Sequence, residues 1–244
     1  MVCDGGPLLI RAWMGQVAEL RKKHQIEVIW VTSGAIASAA DLIDFPKAAE
    51  RTLSEKQALS AMGQPIVMDL YNLALGVFGL KGAQILLTSD DLSNASRREN
   101  FQNTLEKLLS WGVVPILNEN DAVATQEIQF GDNDWLSAQV AYAVGAERLV
   151  ILTDVAGLFD LDPRTNPEAR LVDHLDKVST RQLASVEPKS GSYRGTGGMY
   201  SKLKAAKFAN DKGLLTWLCQ GDERHVLIRV AENARIGTRI GAKP

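Results

Sequence analysis

Short apolar runs alternate with helix-patterned segments along the chain, and two of the runs, Val113–Leu117 (VVPIL) and Arg148–Thr153 (RLVILT), carry almost no polar position. A strand with one wet face alternates polar and apolar residues. A strand with almost no polar residue is covered on both faces, as in a parallel sheet layered by helices. The rest of the pattern agrees. Ile10, Met14, Val17 and Leu20 share one face of a helix over Leu8–Lys23, and Gln25–Thr32 (QIEVIWVT) reads as a strand. Helices are expected at Ser54–Leu75, Arg97–Trp111, Asp134–Val144 and Gly198–Lys212, with a strand at Ala83–Thr88 between the first two and a further strand at Leu214–Cys219 after the last. This order predicts an α/β fold with a mostly parallel sheet.

Its 244 residues suit one large domain or two small ones, and no repeat or Pro/Ser linker divides them. A single domain over residues 1–244 is the expectation. The net charge of −2 offers no basic excess for a phosphate backbone, so nucleic acid is not the expected partner. Neither a membrane-spanning apolar run nor a signal-peptide start is found, and membrane association is not expected. Cys3 and Cys219 lack metal-ligand spacing and read as free thiols of a reducing compartment, which points to the cytoplasm. The three histidines are scattered among charged residues and read as surface positions.

In a parallel α/β sheet, ligands sit beyond the carboxyl ends of the strands. Here those ends carry Thr32-Ser33-Gly34, Thr88-Ser89-Asp90, Asn118-Glu119-Asn120-Asp121 and Thr153-Asp154. The P-loop, the dinucleotide G-x-G-x-x-G, the protein-kinase set and the G-x-S-x-G elbow are all absent from the sequence. Gly195-Thr196-Gly197-Gly198-Met199-Tyr200-Ser201-Lys202 offers another phosphate site. Glycines at a helix start let backbone N–H groups approach an anion, and Lys202, one turn in, leans back over them. The bare pattern is also that of a plain loop followed by a solvated lysine.

The stretch NENDAVATQEIQFGDND (118–134) puts amides and carboxylates on either side of a segment, Ala124–Phe130, able to form a hairpin. Asp121 can accept from an ammonium, and Asn118 and Asn133 can donate to a carboxylate. Asp134 can be a helix N-cap or can hold a lysine ammonium, and metal coordination by these carboxylates is equally open.

VTSGAI (31–36), PILNENDAVAT (115–125), GDND-LSA (131–138), VILTD (150–154), DPR (162–164) and GTGGM-SK (195–202) together resemble the glutamate 5-kinase family of the amino-acid kinase superfamily. The resemblance runs colinearly from Val31 to Lys202 and implies a three-layer α/β/α sandwich. It also implies ATP-dependent phosphorylation of the L-glutamate side-chain carboxylate, the first step of proline synthesis. By motif position Ser33, Asp121 and Asn133 would bind glutamate. Thr153, Asp154 and Thr196-Gly197-Gly198-Met199-Tyr200-Ser201-Lys202 would bind ATP. Lys202 would be a catalytic cation organised by Asp134. Mg²⁺ would come with the nucleotide, with no metal site of the protein's own. Proline as a feedback inhibitor and a homodimer or homotetramer are further implications.

The family's opening strand and lysine-bearing loop, V-V-K-x-G-[ST], have no counterpart here; Met1–Gly6 aligns after that loop. The expectation is a chain that continues upstream or a homologue that binds nucleotide with little turnover. A sibling kinase of the superfamily is a third reading, against which NENDAVAT and GTGGM speak.

Overall fold

The computed structural model describes residues 6–45, 51–124, 132–186 and 198–242. Two compact units divide the chain, Met1–Asn133 and Asp134–Pro244. In both, helices alternate with strands and most strand pairs are parallel, the α/β class that the hydrophobic pattern predicts.

The first unit holds α1 (Gly6–Glu19), β1 (Trp30–Val31), α2 (Ala35–Leu42), α3 (Leu53–Gly76), β2 (Gly82–Leu87), α4 (Ser89–Ser93), α5 (Ala95–Ser110) and β3 (Val114–Glu119). The sheet order is β1-β3-β2, all parallel. The central strand β3 is buried at every position, which is why its sequence lacks a polar alternation. The strand expected over Gln25–Thr32 pairs only at Trp30 and Val31. Its first residues are spent closing the preceding helix: a π-helical turn, Leu20–His24, ends at left-handed Gln25, and the Ile26 N–H bonds back to the Leu20 carbonyl.

The face of α1 foreseen from its spacing is buried, with Ile10, Met14 and Val17 inside. α3 packs along both α1 and α2. Thr52 and Glu55 cap α3 reciprocally. Trp13 stacks at 5.4 Å on Trp30, whose indole N–H donates to the Tyr71 hydroxyl at 2.8 Å.

The second unit holds α6 (Asn133–Ala143, with Asn133 at the boundary), β4 (Arg148–Thr153), β5 (His174–Leu175), α7 (Thr180–Ser185), α8 (Met199–Asp211), β6 (Leu215–Gln220), α9 (Val226–Ala231) and β7 (Thr238–Ile240). Its order is β4-β6-β7-β5, with β6 and β7 antiparallel and the other pairs parallel. Leu149, Ile151, Leu203, Leu218 and Ile240 make the core. Ala205, Ala206 and Ala209 give α8 a fully buried face of small residues. No helix among the described residues is long and apolar enough to cross a membrane. Cys219 is a buried free thiol that burial pushes up to about 12, so it stays protonated and inert.

Candidate functional site

In the first unit the polar turns after β1 and β3 share one support, α3. The turn after β1 runs through Thr32 and exposed Ser33 into Gly34, whose φ of 102° starts α2 in a conformation that favours glycine. Among the described residues no side chain caps α2, which leaves the Ser33 hydroxyl and the first N–H groups of the helix for an oxygen ligand. α3 meets this turn at Gly63, where a Cβ would stand 1.8 Å from the Ala35 carbonyl oxygen.

The turn after β3 is held by three polar side chains of α3, at i, i+3 and i+7. Gln57 donates to the Ala124 carbonyl at 3.0 Å, Ser60 to Asp121 Oδ2 at 3.4 Å and Gln64 to the Glu119 carbonyl at 3.4 Å. Gln64 also accepts from Asn118 at 3.3 Å, while Asn118 accepts from the Glu119 N–H. Buried Asn118 therefore ties the strand end to α3, which differs from the ligand-binding part its spacing suggested. Gln57, Ser60, Gly63 and Gln64 escaped the sequence reading. Their signal was a row of polar and small residues at helical spacing on a face that otherwise buries Leu59 and Val67.

Asp121 is half-buried, and its carboxyl sits above the usual carboxylate range because burial disfavours the charge, with the Ser60 hydroxyl pulling the other way. The folded state thus holds this proton more tightly than the unfolded chain. Its stabilising contribution is full below the unfolded pKa and is lost as the pH rises through the raised folded value. Asp121→Asn should therefore raise the melting temperature of the ligand-free protein at pH 7. That gain should fade as the pH is lowered below the unfolded pKa, which melts across a pH series would show.

In the second unit Asp134 is the second residue of α6, not its N-cap. It faces the start of α8: Lys202 Nζ lies 2.8 Å and Ser201 Oγ 3.0 Å from Asp134 Oδ2. Lys202 is 8% exposed, so the solvated-lysine reading does not hold. Gly198 is the N-cap residue of α8; among the described residues no side chain caps the helix, and a Cβ at Gly198 would meet nothing within 4 Å. A helix start of this kind can receive an anion, here beside a held ammonium. Met199 packs its side chain against the core, which leaves its backbone for a ligand, and Tyr200 is half-buried. Thr196 and Gly197 lie outside the described residues, as do Gly195 and 125–131, most of the expected hairpin.

Thr153, buried, ends β4 and donates to Asp154 Oδ1 at 3.1 Å, while Arg164 pairs with Asp154 Oδ2 at 2.6 Å. The Asp-Pro-Arg sequence is a turn in which the Arg164 N–H bonds to the Asp162 carboxylate. Burial works to raise the Asp154 carboxyl, but its own backbone N–H, the Thr153 hydroxyl, Arg164 and Lys202 together hold it below the ordinary range. Asn133 opens α6 with Oδ1 buried and unpaired among the described residues, so this amide has hydrogen-bonding capacity to spare. Among the described residues no three His, Cys, Asp or Glu side chains are grouped to hold a metal ion.

The model for the amino acid kinase family matches residues 1–218. A glutamate 5-kinase of Deinococcus radiodurans is 45% identical over 213 residues, covering 87% of this chain and 58% of that protein. One of Chromobacterium violaceum is 43% identical over 242 residues, covering 98% of this chain and 64% of that protein. The chain thus spans about three-fifths of the length of these relatives. Among solved structures, an isopentenyl phosphate kinase of T. acidophilum superimposes with a TM-score of 0.62 at 16% identity, covering 96% of this chain and 91% of that one. A UMP kinase of Bacillus anthracis gives 0.63 at 16% identity, covering 96% and 87%. These two establish likeness of fold.

Proposed function

The chain belongs to the amino acid kinase family, and from that premise we propose that it transfers the γ-phosphoryl group of ATP to the side-chain carboxylate of L-glutamate. The product is L-glutamyl 5-phosphate, the first intermediate of proline biosynthesis. The observation that carries this reading is the buried Lys202 ammonium, fixed by Asp134 at the uncapped start of α8. Its identity of 41–45% to glutamate 5-kinases supports glutamate as the acceptor.

A carboxylate is already a nucleophile, so the reaction needs no general base. One glutamate side-chain oxygen forms a bond to the γ-phosphorus, the bond to the β,γ-bridging oxygen breaks, and ADP leaves with that electron pair. What the protein supplies is alignment of two anions and positive charge on the phosphoryl oxygens. In the second unit the α8 N–H groups bind phosphate oxygens and Lys202 neutralises the charge that develops during transfer. Asp134 and Ser201 fix the direction of that ammonium. Thr153 and Asp154 hold the nucleoside end. In the first unit Asp121 accepts from the glutamate ammonium and Ser33 donates to a glutamate oxygen. Asn133, with an amide partly unspent, completes the acceptor set.

Magnesium ions characteristically ride on nucleotide phosphates with one or two carboxylates. Arriving with the nucleotide, the ion would add charge neutralisation on the phosphates. Proline shares the ammonium and carboxylate of glutamate, and competition at the Asp121 turn follows from that likeness. The family model runs across the boundary of the two units, which supports reading residues 1–244 as one kinase domain. A cytoplasmic homo-oligomer completes the proposal.

The test incubates the purified protein with ATP, Mg²⁺ and L-glutamate and traps the acyl phosphate as its hydroxamate. A second form carries the lysine-bearing strand of the family as an N-terminal extension. Hydroxamate that depends on both substrates is expected in at least one form. Nucleotide and glutamate binding without hydroxamate in either form would make the protein a binder rather than a kinase.

A further inference from the structure

A serine in the middle of a long helix usually turns its hydroxyl back to the carbonyl four residues earlier. Ser60 does not. It is fully buried, flanked by Leu59 and Gly63, and its hydroxyl reaches across to Asp121 Oδ2, 61 residues further on. Its neighbours on α3, Gln57 and Gln64, bind main-chain carbonyls of the same turn, at Ala124 and Glu119. These two fix the backbone of the turn. Among the described residues, the hydrogen bond from α3 to the side chain of Asp121 is that of Ser60.

We propose that Ser60 is a positioning residue of the ammonium subsite, whose hydroxyl orients the Asp121 carboxylate and favours the charged form that an amino-acid ammonium needs. The inference rests on the reading of Asp121 as the ammonium acceptor given above.

The surroundings leave this part to Ser60. Among the described residues no cation pairs with Asp121. The ionisable residues of α3 are turned elsewhere: Glu55 caps Thr52, while Lys56 and Asp69 are exposed. Beyond β2, Asp91 is held by Thr88 and Arg97, and Asp90 lies in the same short helix, α4. On the turn itself the neighbouring carboxylate is Glu119, buried at the end of β3. Burial disfavours the charge on Asp121, and the Ser60 hydroxyl opposes it. A hydrogen bond to the charged form is therefore the device that keeps Asp121 ready for a cation.

The experiment compares wild type with Ser60→Ala and with near-isosteric Ser60→Cys, which keeps the packing and replaces the hydroxyl by a weak donor. In both variants KM for glutamate should rise about three- to ten-fold at the acid end of the active range, the size of one lost charge-assisted hydrogen bond. The rise should shrink as the pH increases, because losing the donor lets the carboxyl keep its proton to higher pH. kcat and KM for ATP should stay put. A loss of equal size at every pH, or one confined to Ser60→Ala, would reduce Ser60 to a packing residue.

A second readout needs no turnover: the Asp121 carboxyl is titrated by carbon NMR in the ligand-free proteins. Both variants should titrate higher than wild type. Unchanged titration would overturn the inference even in an active kinase. A wild type that does not phosphorylate glutamate would instead overturn the kinase reading, and the titration would still decide the part played by Ser60.

Discussion

Replacing Lys202 by alanine should lower kcat by about 10²- to 10³-fold, the usual loss when one preorganised charge donor to a transition state is removed. The ammonium is buried and held 2.8 Å from Asp134 Oδ2, so its direction is set before the nucleotide arrives. A group organised in advance stabilises developing charge without reorganising, and its removal should fall on kcat more than on binding. KM for glutamate should hardly move. Stability complicates the reading, because the substitution leaves the Asp134 carboxylate with Ser201 but without its cation, and uncompensated buried charge is destabilising. The double variant Lys202→Ala/Asp134→Asn separates the two effects: it should regain thermal stability lost by the single variant and regain no activity. Steady-state kinetics and melting curves on the three proteins suffice. A Lys202→Ala protein that loses glutamate affinity as much as rate, or a double variant that recovers turnover, would take Lys202 out of the proposed catalytic part.

The sequence shows some of this site and hides the rest for a physical reason. β3 and β4 are legible because burial on both faces writes itself as an unbroken apolar run. α8 is legible from its glycine start and its helical spacing. The Asp-Pro-Arg turn folds back over only ten residues to reach Asp154. The pairing of Lys202 with Asp134 spans 68 residues, so the pattern at Asp134 was equally that of an N-cap until the fold joined them. Asn118 looked like a ligand donor because strand-end amides commonly are. Only tertiary contact shows its amide tied to Gln64. The Gln57, Ser60, Gln64 row has helical spacing, yet polar residues in a helix are read as its wet face unless something marks that face as buried. The β7 strand is three residues long and gains its place by antiparallel pairing with β6, which hydrophobic periodicity cannot register over so short a stretch.

Gly63→Ala is the second substitution with a large expected effect, and its sign is set by two opposed terms. In the interior of a helix, alanine is favoured over glycine by about 0.5–1 kcal/mol through backbone entropy. Against this, the new Cβ would lie 1.8 Å from the Ala35 carbonyl oxygen and 2.5 Å from its carbon. These are backbone atoms of the first residue of α2, so no side-chain rotation relieves the overlap, and α2 and α3 must move apart by more than 1 Å. Overpacking of this kind costs about 1–3 kcal/mol and occasionally more, and a backbone obstacle belongs at the upper end. The clash should win, with a net loss of about 2 kcal/mol in unfolding free energy. Movement at Ala35 also shifts the Ser33-Gly34 turn, so KM for glutamate should rise while nucleotide affinity, carried by the second unit, holds. Gly76, the last residue of the same helix, is the control: a Cβ there meets nothing within 4 Å, so Gly76→Ala should be neutral or slightly stabilising. Denaturant melts and glutamate kinetics on the two variants decide the matter. If Gly63→Ala is as stable as Gly76→Ala, the close approach of α3 to the start of α2 does not exist in solution, and α3 is not what holds the Ser33 turn.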